Sequence, residues 1–191
     1  MSLTSRFAVA PPVFLGPLTP EFLESTKPGE ATALSSAIFI YNFLTGPPLV
    51  AGRLTYGYVD VRDVARAVVA AIDPKVPGNH RLLLSSLPWF DNGDIPGHIA
   101  TIRPDLKDRL IKGESSEWKQ FIAEDEIRKA VEVLGLGELT PWKKTVEDSL
   151  ESILAMEKVW KEKGVDVDEV LGRNWSLAFW NASTVARVEL N

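Results

Sequence analysis

The densest group of chemically active side chains in this 191-residue chain lies at residues 56–63, Tyr-Gly-Tyr-Val-Asp-Val-Arg-Asp. Asp60, Arg62 and Asp63 are residue types that transfer protons or bind anions. Asp63, however, directly precedes a helix-forming run, where a carboxylate accepts the unpaired amides of the first turn. We therefore expect Asp63 to cap that helix, and Asp60 or Arg62 to hold the turn by pairing.

Histidine and cysteine chemistry is scarce in this chain. There are no cysteines, which excludes disulfides, thiolate nucleophiles and cysteine-ligated zinc. Two histidines, His80 and His98, are too few for a multi-histidine metal site, so we predict no metal. Neither lies near the Gly-x-Ser-x-Gly turn of a serine hydrolase. We expect His98 at an exposed helix position, with a pocket-lining role as the alternative.

Composition indicates an ordinary globular protein, with 45% hydrophobic and 25% charged residues. The net charge of -5 and the pI of about 5.2 give no electrostatic reason to expect nucleic acid or anionic membrane as a partner. The apolar run near Met1 is too short for a secretory signal, and no stretch approaches the roughly 18 apolar residues of a membrane helix. We predict a cytoplasmic protein.

Three apolar segments predict the elements that would position these groups. Residues 6–15, Arg-Phe-Ala-Val-Ala-Pro-Pro-Val-Phe-Leu, are typical of a buried strand in a parallel sheet. Its two prolines cannot donate to a ladder, so pairing should stop there and the backbone turn towards a crevice. Residues 64–72 predict a helix that is apolar, and therefore buried, on nearly every side. Residues 78–86 predict a second buried strand.

The remaining chain is expected to be mostly helical. Predicted helices cover residues 37–46 with Ser35 or Ser36 as the cap, 92–103, 125–134 capped by Asp125 and closed by Gly135, and 141–163 capped by Thr140 with Pro141 as its first residue and ended by Gly164. Residues 49–54 and 58–61 predict short strands. Residues 19–33 and 105–116 are predicted loops.

Three segments, in this order, resemble the second half of the extended short-chain dehydrogenase/reductase family. Residues 10–17, Ala-Pro-Pro-Val-Phe-Leu-Gly-Pro, resemble its N-P-x-x-V-x-G-P strand end. Residues 58–65, Tyr-Val-Asp-Val-Arg-Asp-Val-Ala, resemble its F-V-D-V-R-D-V-A signature. Residues 125–136 with Thr140-Pro141 resemble its closing helices. The pattern is similar to the epimerase/dehydratase and dihydroflavonol-reductase-like branch and to fungal aldehyde or ketone reductases.

The resemblance implies an α/β fold, an incomplete Rossmann-like parallel sheet with a small, mostly helical substrate-binding portion. Residues 1–163 would be the C-terminal part of the extended reductase fold. Residues 164–191 form an atypical tail that contains Trp175, Phe179 and Trp180.

In the family, the strand end with two prolines lies beside the nicotinamide of NAD(P). Backbone held by proline does not pair as sheet, so its polar groups are free to meet a ligand. Ala10 replaces a residue that is often asparagine in the family. The residues implied beside the cofactor are Pro11, Pro12, Val13 and Phe14. Tyr56 and Tyr58 are implied to bind substrate, with plain packing as the alternative.

The dinucleotide and proton-transfer motifs of the family are not found in this sequence. No Gly-x-x-Gly-x-x-Gly turn occurs, although backbone amides of such a turn hold the pyrophosphate. No tyrosine is followed four residues later by lysine: Thr45, Asp60 and Arg62 stand at those positions. We therefore assign no catalytic residue to this chain.

The resulting hypothesis is the substrate-binding part of an NAD(P)-dependent carbonyl reductase or epimerase-like protein, inactive alone. Its substrate in the parent family would be a small carbonyl compound. The strand at residues 6–15 would leave an unpaired edge, so we expect self-association or pairing with an N-terminal portion. A non-catalytic binding module, with the aromatic tail as its surface, is the alternative. An unrelated hydrolase with paired carboxylates has little support.

Overall fold

The computed structural model describes residues 7–29, 31–45, 57–76, 78–88, 90, 93–111 and 124–167. Short strands and longer helices alternate, as the α/β expectation requires. The strands are β1 (Phe7–Ala10), β2 (Val13–Leu15), β3 (Tyr58–Asp60) and β4 (His80–Leu83). The α-helices are α1 (Pro20–Ser25), α2 (Ile38–Thr45), α3 (Val61–Ala71), α4 (Asp94–Ile102), α5 (Glu124–Val133) and α6 (Trp142–Glu162), with 3-10 helices at Ala31–Ala37 and Pro104–Arg109.

The strands form two parallel pairs. β1 pairs with β4, from Phe7 opposite His80 to Ala10 opposite Leu83, and β2 pairs with β3. The amide of Ser86, just after β4, donates to the carbonyl of Tyr58 at 2.8 Å and joins the two pairs. The α/β class with short parallel sheets is thus confirmed.

The predicted continuous strand at residues 6–15 is in fact two strands. Pro11 and Pro12 have no N–H to donate, so the ladder of β1 with β4 stops at Ala10. Pairing resumes at Val13, with β3 as the new partner. The prolines therefore end the pairing of β1 with β4, as expected. After them the chain pairs with a different strand, β3.

Helix α6 forms the spine of the larger core. The apolar side chains of α6 recur at helical spacing and are buried against α2 and β2. Their residues are Val146, Leu150, Ile153, Met156 and Trp160. Gly164, at a φ of 79°, follows the helix as predicted. Pro141 occupies the N-cap position without a side-chain cap, so the expectation that Thr140 caps and Pro141 begins the helix was wrong.

Several predicted boundaries also require correction. Residues 19–33 are not a plain loop, because Thr19 caps the short helix α1 through a bond from the Phe22 amide. Ser35 and Ser36 lie within a 3-10 helix that precedes α2. Helix α5 begins at Glu124, so Asp125 belongs to its first turn. Residues 104–109 form a 3-10 helix, whereas the strand expected at 49–54 lies outside the described residues.

Helix α3 departs most from expectation. Asp63 and Ala67 are its fully buried residues, and Ala67 packs with Val59 and Leu82 of the smaller core cluster. The predicted burial on nearly every side was wrong, since an apolar face of this helix is open. Its exposed fractions are 40% for Val61, 49% for Val68, 71% for Val69 and 75% for Ile72.

Candidate functional site

The signature segment begins with a capped helix, but Asp60 provides the cap. Strand β3 ends at Asp60, whose Oδ1 accepts the backbone N–H of Arg62 at 2.9 Å. The predicted cap, Asp63, is the third residue of α3. The prediction was wrong because the helix begins at Val61, three residues earlier than the apolar run suggested.

Asp60 is completely buried and linked to two elements. The Nε and Nη2 of Arg62 donate to its two oxygens at 2.8 and 2.7 Å. The hydroxyl of Thr145 in α6 donates to Oδ2 at 2.9 Å. Burial by itself would raise the pKa of Asp60, but the bonds from Arg62 and Thr145 outweigh burial and hold the pKa below its usual value. Asp60 is therefore a structural anion rather than a proton carrier.

Arg62 continues this network towards α6. Its Nη1 donates to Asp148 Oδ2 at 2.7 Å, and Lys144 donates to Oδ1 of the same carboxylate at 2.6 Å. Burial opposes ionisation of Asp148, yet the bonds from Lys144 and Arg62 hold its pKa below the usual value. The predicted pairing of Arg62 with Asp60 is confirmed.

Asp63 binds the connection between α5 and α6. Its Oδ2 accepts the backbone N–H of Thr140 at 2.7 Å, and its Oδ1 accepts Arg66 Nη2 at 2.6 Å. Arg66 also donates to the carbonyls of Leu136 and Glu138, each at 3.0 Å. We call Asp60, Arg62, Asp63 and Arg66 the α3 clasp, since together they tie α3 to α6 and its preceding loop.

The clasp gives both signature carboxylates, Asp60 and Asp63, the structural hydrogen bonds that the sequence led us to expect. Arg66 was missed in the sequence, although its spacing of three residues from Asp63 is that of a helical ion pair. Thr140 and Thr145 were missed as partners, because only the tertiary fold brings them to α3.

The four residues implied beside a cofactor follow the carboxyl end of β1 and include the first two residues of β2. In parallel sheets this is the edge where ligands bind. Pro11, Pro12 and Val13 are partly exposed, and the Phe14 side chain is the most open of the four, at 43% exposure. Leu15 points into the core, as alternation along a strand requires. The arrangement offers an apolar wall and proline-held backbone.

Gly16 explains why the backbone after this wall approaches the clasp so closely. Its φ is 143°, and a Cβ there would stand 2.7 Å from Val61 Cγ1 and 3.4 Å from Asp60 Oδ1. Only glycine has both the backbone freedom and the absent side chain that this approach requires. The Gly-Pro part of the motif thereby couples the wall to the start of α3.

Tyr58 lies in β3, opposite Val13 of β2. Its side chain is buried, and its ring centroid is 4.9 Å from that of Phe90. Burial, together with the negative charges of Asp60 and Asp63, raises the pKa of Tyr58 well above its usual value. A substrate-binding role for Tyr58 stays a prediction, and Tyr56 lies outside the described residues.

A separate cavity of about 750 Å³ lies between α5 and the end of β4. Its lining includes Ser85, Leu87, Ile127, Val131 and Leu139. None of the described residues predicted for cofactor or substrate lines this cavity. Within the part of the chain that the structure describes, no three histidine, aspartate or glutamate side chains group as metal ligands.

His98 does not lie at the exposed helix position expected for it. Its Nε2 lies 2.9 Å from Glu147 Oε1, and its ring meets Trp142 edge-on at 5.2 Å between centroids. The side chain is mostly buried between α4 and α6, so the expected exposed position was wrong.

Comparison with known proteins finds partial matches. No family model matches the chain. GRP2 of Candida albicans, named as an NADPH-dependent methylglyoxal reductase, is 34% identical over 105 residues. The chain is partly homologous to such fungal reductases. The match spans 53% of this chain and 30% of that protein.

Solved structures extend the similarity to the fold. Gre2 from Candida albicans in complex with NADPH gives a TM-score of 0.58 at 26% identity, and covers 78% of this chain. Another Gre2 crystal structure from that organism gives 0.60 at 25% identity over 80% of this chain. The yeast methylglyoxal/isovaleraldehyde reductase Gre2, at 22% identity and 0.58, supports the fold alone. The chain spans 43% and 45% of the two Candida albicans structures.

No helix within the described ranges combines the length and apolar character that a membrane crossing needs.

Proposed function

We propose that this chain forms the substrate-side part of an NADPH-dependent carbonyl reductase, in which further polypeptide binds the dinucleotide. The observation that carries the proposal is the apolar wall of Pro11, Pro12, Val13 and Phe14, which follows the carboxyl end of the parallel strand β1. Similarity to Gre2 solved with NADPH supports the choice of cofactor. The substrate class would be small carbonyl compounds, in keeping with the methylglyoxal reductase name of GRP2.

The residues of the wall fit part of the cofactor. An exposed phenyl ring and two prolines suit the flat, weakly polar nicotinamide, whereas a phosphate-binding glycine turn is missing from the sequence. When bound, NADPH would supply the hydride. The residues of this chain would exclude water from one side of the ring and limit the orientation of the carbonyl compound.

The α3 clasp would act by positioning this wall. Gly16 directly follows β2 and lies so close to the start of α3 that an added Cβ would meet Val61 and Asp60. Asp60 is itself hydrogen-bonded to Thr145 of α6. The wall is therefore connected through Asp60 to α6, the longest helix of the described chain. A hydride-transfer site needs such rigid positioning, because small displacements of the reacting atoms slow the reaction.

The test is a chimera in which this chain replaces the matching part of Candida albicans Gre2. NADPH oxidation with methylglyoxal should occur in the chimera and not in the 191-residue chain alone. Phe14→Asp in the chimera should raise the KM for NADPH about tenfold, whereas Val69→Asp, a control on the exposed face of α3, should leave it unchanged. If the chimera folds and Phe14→Asp does not change its affinity for NADPH, the assignment of the wall to the cofactor is refuted.

The alternative of a binding module based on the aromatic tail stays a prediction, because residues 168–191 lie outside the described residues.

A further inference from the structure

Three hydroxyl side chains lie on one face of α6. They belong to Thr145, Ser149 and Ser152, whose spacing of four and three residues places them on the same side of the helix. Thr145 and Ser149 are buried, and Ser152 is partly buried. A hydroxyl inside a helix often bonds a carbonyl of the preceding turn, so a further bond to another element distinguishes one such residue from the next.

Two of the three hydroxyls bind elements outside α6. Thr145 donates to Asp60 at the end of β3. The Ser152 hydroxyl accepts the backbone N–H of Leu18 at 3.0 Å, across 134 positions in the sequence, and donates to the Ser149 carbonyl at 2.9 Å. The Ser149 hydroxyl donates to the Thr145 carbonyl within the helix, at 2.6 Å. Helix α6 therefore binds both the end of β3 and the segment that follows β2.

The bond from Leu18 fixes a segment whose own residues restrain it weakly. Pro17 has no N–H to donate. Gly16, at a φ of 143°, has no side chain to limit rotation of its backbone. Leu18 is partly buried against the larger core, where an amide needs an acceptor. Ser152 provides that acceptor, and alanine at this position would not.

The segment held by Ser152 leads directly from the wall. Strand β2 has three residues, of which Phe14 is 43% exposed and Leu15 is the last to pair with β3. The end of such a short ladder opens easily, so a movement of Leu18 is transmitted to Phe14 through the three residues between them. The bond between Leu18 and Ser152 therefore limits the orientations of the Phe14 ring.

We propose that Ser152 is a positioning residue of the NADPH site. It acts through Leu18, which determines how the end of β2 presents Phe14 to the cofactor. The inference rests on the proposed function, because Phe14 meets the nicotinamide only if this chain lies beside NADPH. A side chain already held in its bound orientation loses less freedom when the ligand arrives, so the complex is tighter. Loss of the Ser152 hydroxyl therefore weakens NADPH binding although the residues of the wall are unchanged.

Hydrogen exchange at the Leu18 amide, followed by NMR in the 191-residue chain, tests this bond. Ser152→Ala should accelerate exchange of this amide at least about tenfold, because its acceptor is lost. Ser152→Thr keeps a hydroxyl at this position and should retain the protection. The matched control is Ser149→Ala, which removes a hydroxyl that bonds within α6 and should change Leu18 exchange less than about twofold. If the two alanine variants accelerate this exchange equally, the proposal is refuted.

NADPH binding to the chimera with Candida albicans Gre2 tests the positioning role. In titrations followed by nicotinamide fluorescence, Ser152→Ala should raise the Kd about fivefold, whereas Ser152→Thr should stay within about twofold of the unmodified chimera. Ser149→Ala should leave the Kd unchanged. In a Phe14→Ala background, Ser152→Ala should raise the Kd less than about twofold, because the ring through which it acts is missing.

Two results separate this inference from the proposed function. A chimera that does not oxidise NADPH refutes the proposed function, and with it any role of Ser152 at the cofactor. An active chimera in which Ser152→Ala leaves the Kd unchanged refutes the role of Ser152 alone. Effects of Ser152→Ala and Phe14→Ala that multiply would also overturn the inference, since Ser152 would then act independently of Phe14.

Discussion

Asp60→Ala is expected to destabilise the fold by about 3 kcal/mol. The substitution removes the N-cap of α3, which is typically worth about 1 kcal/mol. It also removes the buried acceptor of Thr145 and the ion pair with Arg62. Arg62 is partly exposed and can turn to water, so its loss is modest, but the Thr145 hydroxyl is buried. A buried group without its partner costs about 1–3 kcal/mol.

Urea unfolding followed by tryptophan fluorescence measures this difference. Measurements at two protein concentrations show whether the free energy of unfolding refers to a monomer. A double-mutant cycle of Asp60→Ala with Thr145→Ala should give a coupling energy of about 1 kcal/mol. A loss below about 1 kcal/mol for Asp60→Ala, or strict additivity, would refute the reasoning that Asp60 joins α3 to α6.

The same carboxylate predicts a dependence on pH. Since the pKa of Asp60 is lower in the folded chain than its ordinary value of 3.8, the unfolded chain binds this proton first. The stabilisation is therefore fully present above about pH 5 and is lost as pH falls through the folded pKa. Asp60→Asn, which keeps an oxygen for the cap, should lose less free energy of unfolding than the wild type between about pH 5 and pH 3.

Two further substitutions test the turn after β2 and the larger core. Gly16→Ala should cost about 2 kcal/mol or more in urea unfolding, because the new Cβ meets Val61 at 2.7 Å and φ is positive. The control is Gly97→Ala in α4, where nothing lies within 4 Å of the added Cβ. This substitution should stabilise the fold slightly. If the two alanines change the free energy of unfolding equally, the close approach of Gly16 to Val61 is contradicted. Arg109 Nη2 lies 2.6 Å from the buried carboxylate of Glu157. Arg109→Leu leaves this carboxylate without its cation, so the free energy of unfolding, measured by heat and by urea, should fall by about 3 kcal/mol. A loss under about 1 kcal/mol would contradict that dependence.

Features of the fold that depend on neighbours in sequence were predictable. Glycines past the ends of α5 and α6 adopt positive φ, since only residues without a Cβ do so at little cost. The apolar spacing of α6 indicated its buried face, and the prolines at 11 and 12 ended a strand pairing because they lack an N–H. The predicted pairing of Arg62 with Asp60 also formed, because the two residues are only two positions apart in the sequence.

For the candidate site, the sequence indicated which residues to examine, and the structure revised what some of them do. Pro11 to Phe14 follow the carboxyl end of β1, and alternation along β2 exposes Phe14; their role beside a cofactor stays a prediction. Asp63 was expected to cap α3 because it precedes the apolar run. In the structure Asp60 has that role, since the strand ends earlier and the Asp63 carboxylate is used by Thr140.

Only the tertiary structure determined the contacts between residues that lie far apart in the chain. Thr140 binds Asp63 across 77 residues, and Thr145 binds Asp60 across 85. Local propensity carries no information about such pairs, because their geometry depends on how α6 packs against β3 and α3. The same holds for the exposed apolar residues of α3: the composition of this helix predicted burial, but burial requires a covering surface, and none of the described elements provides it.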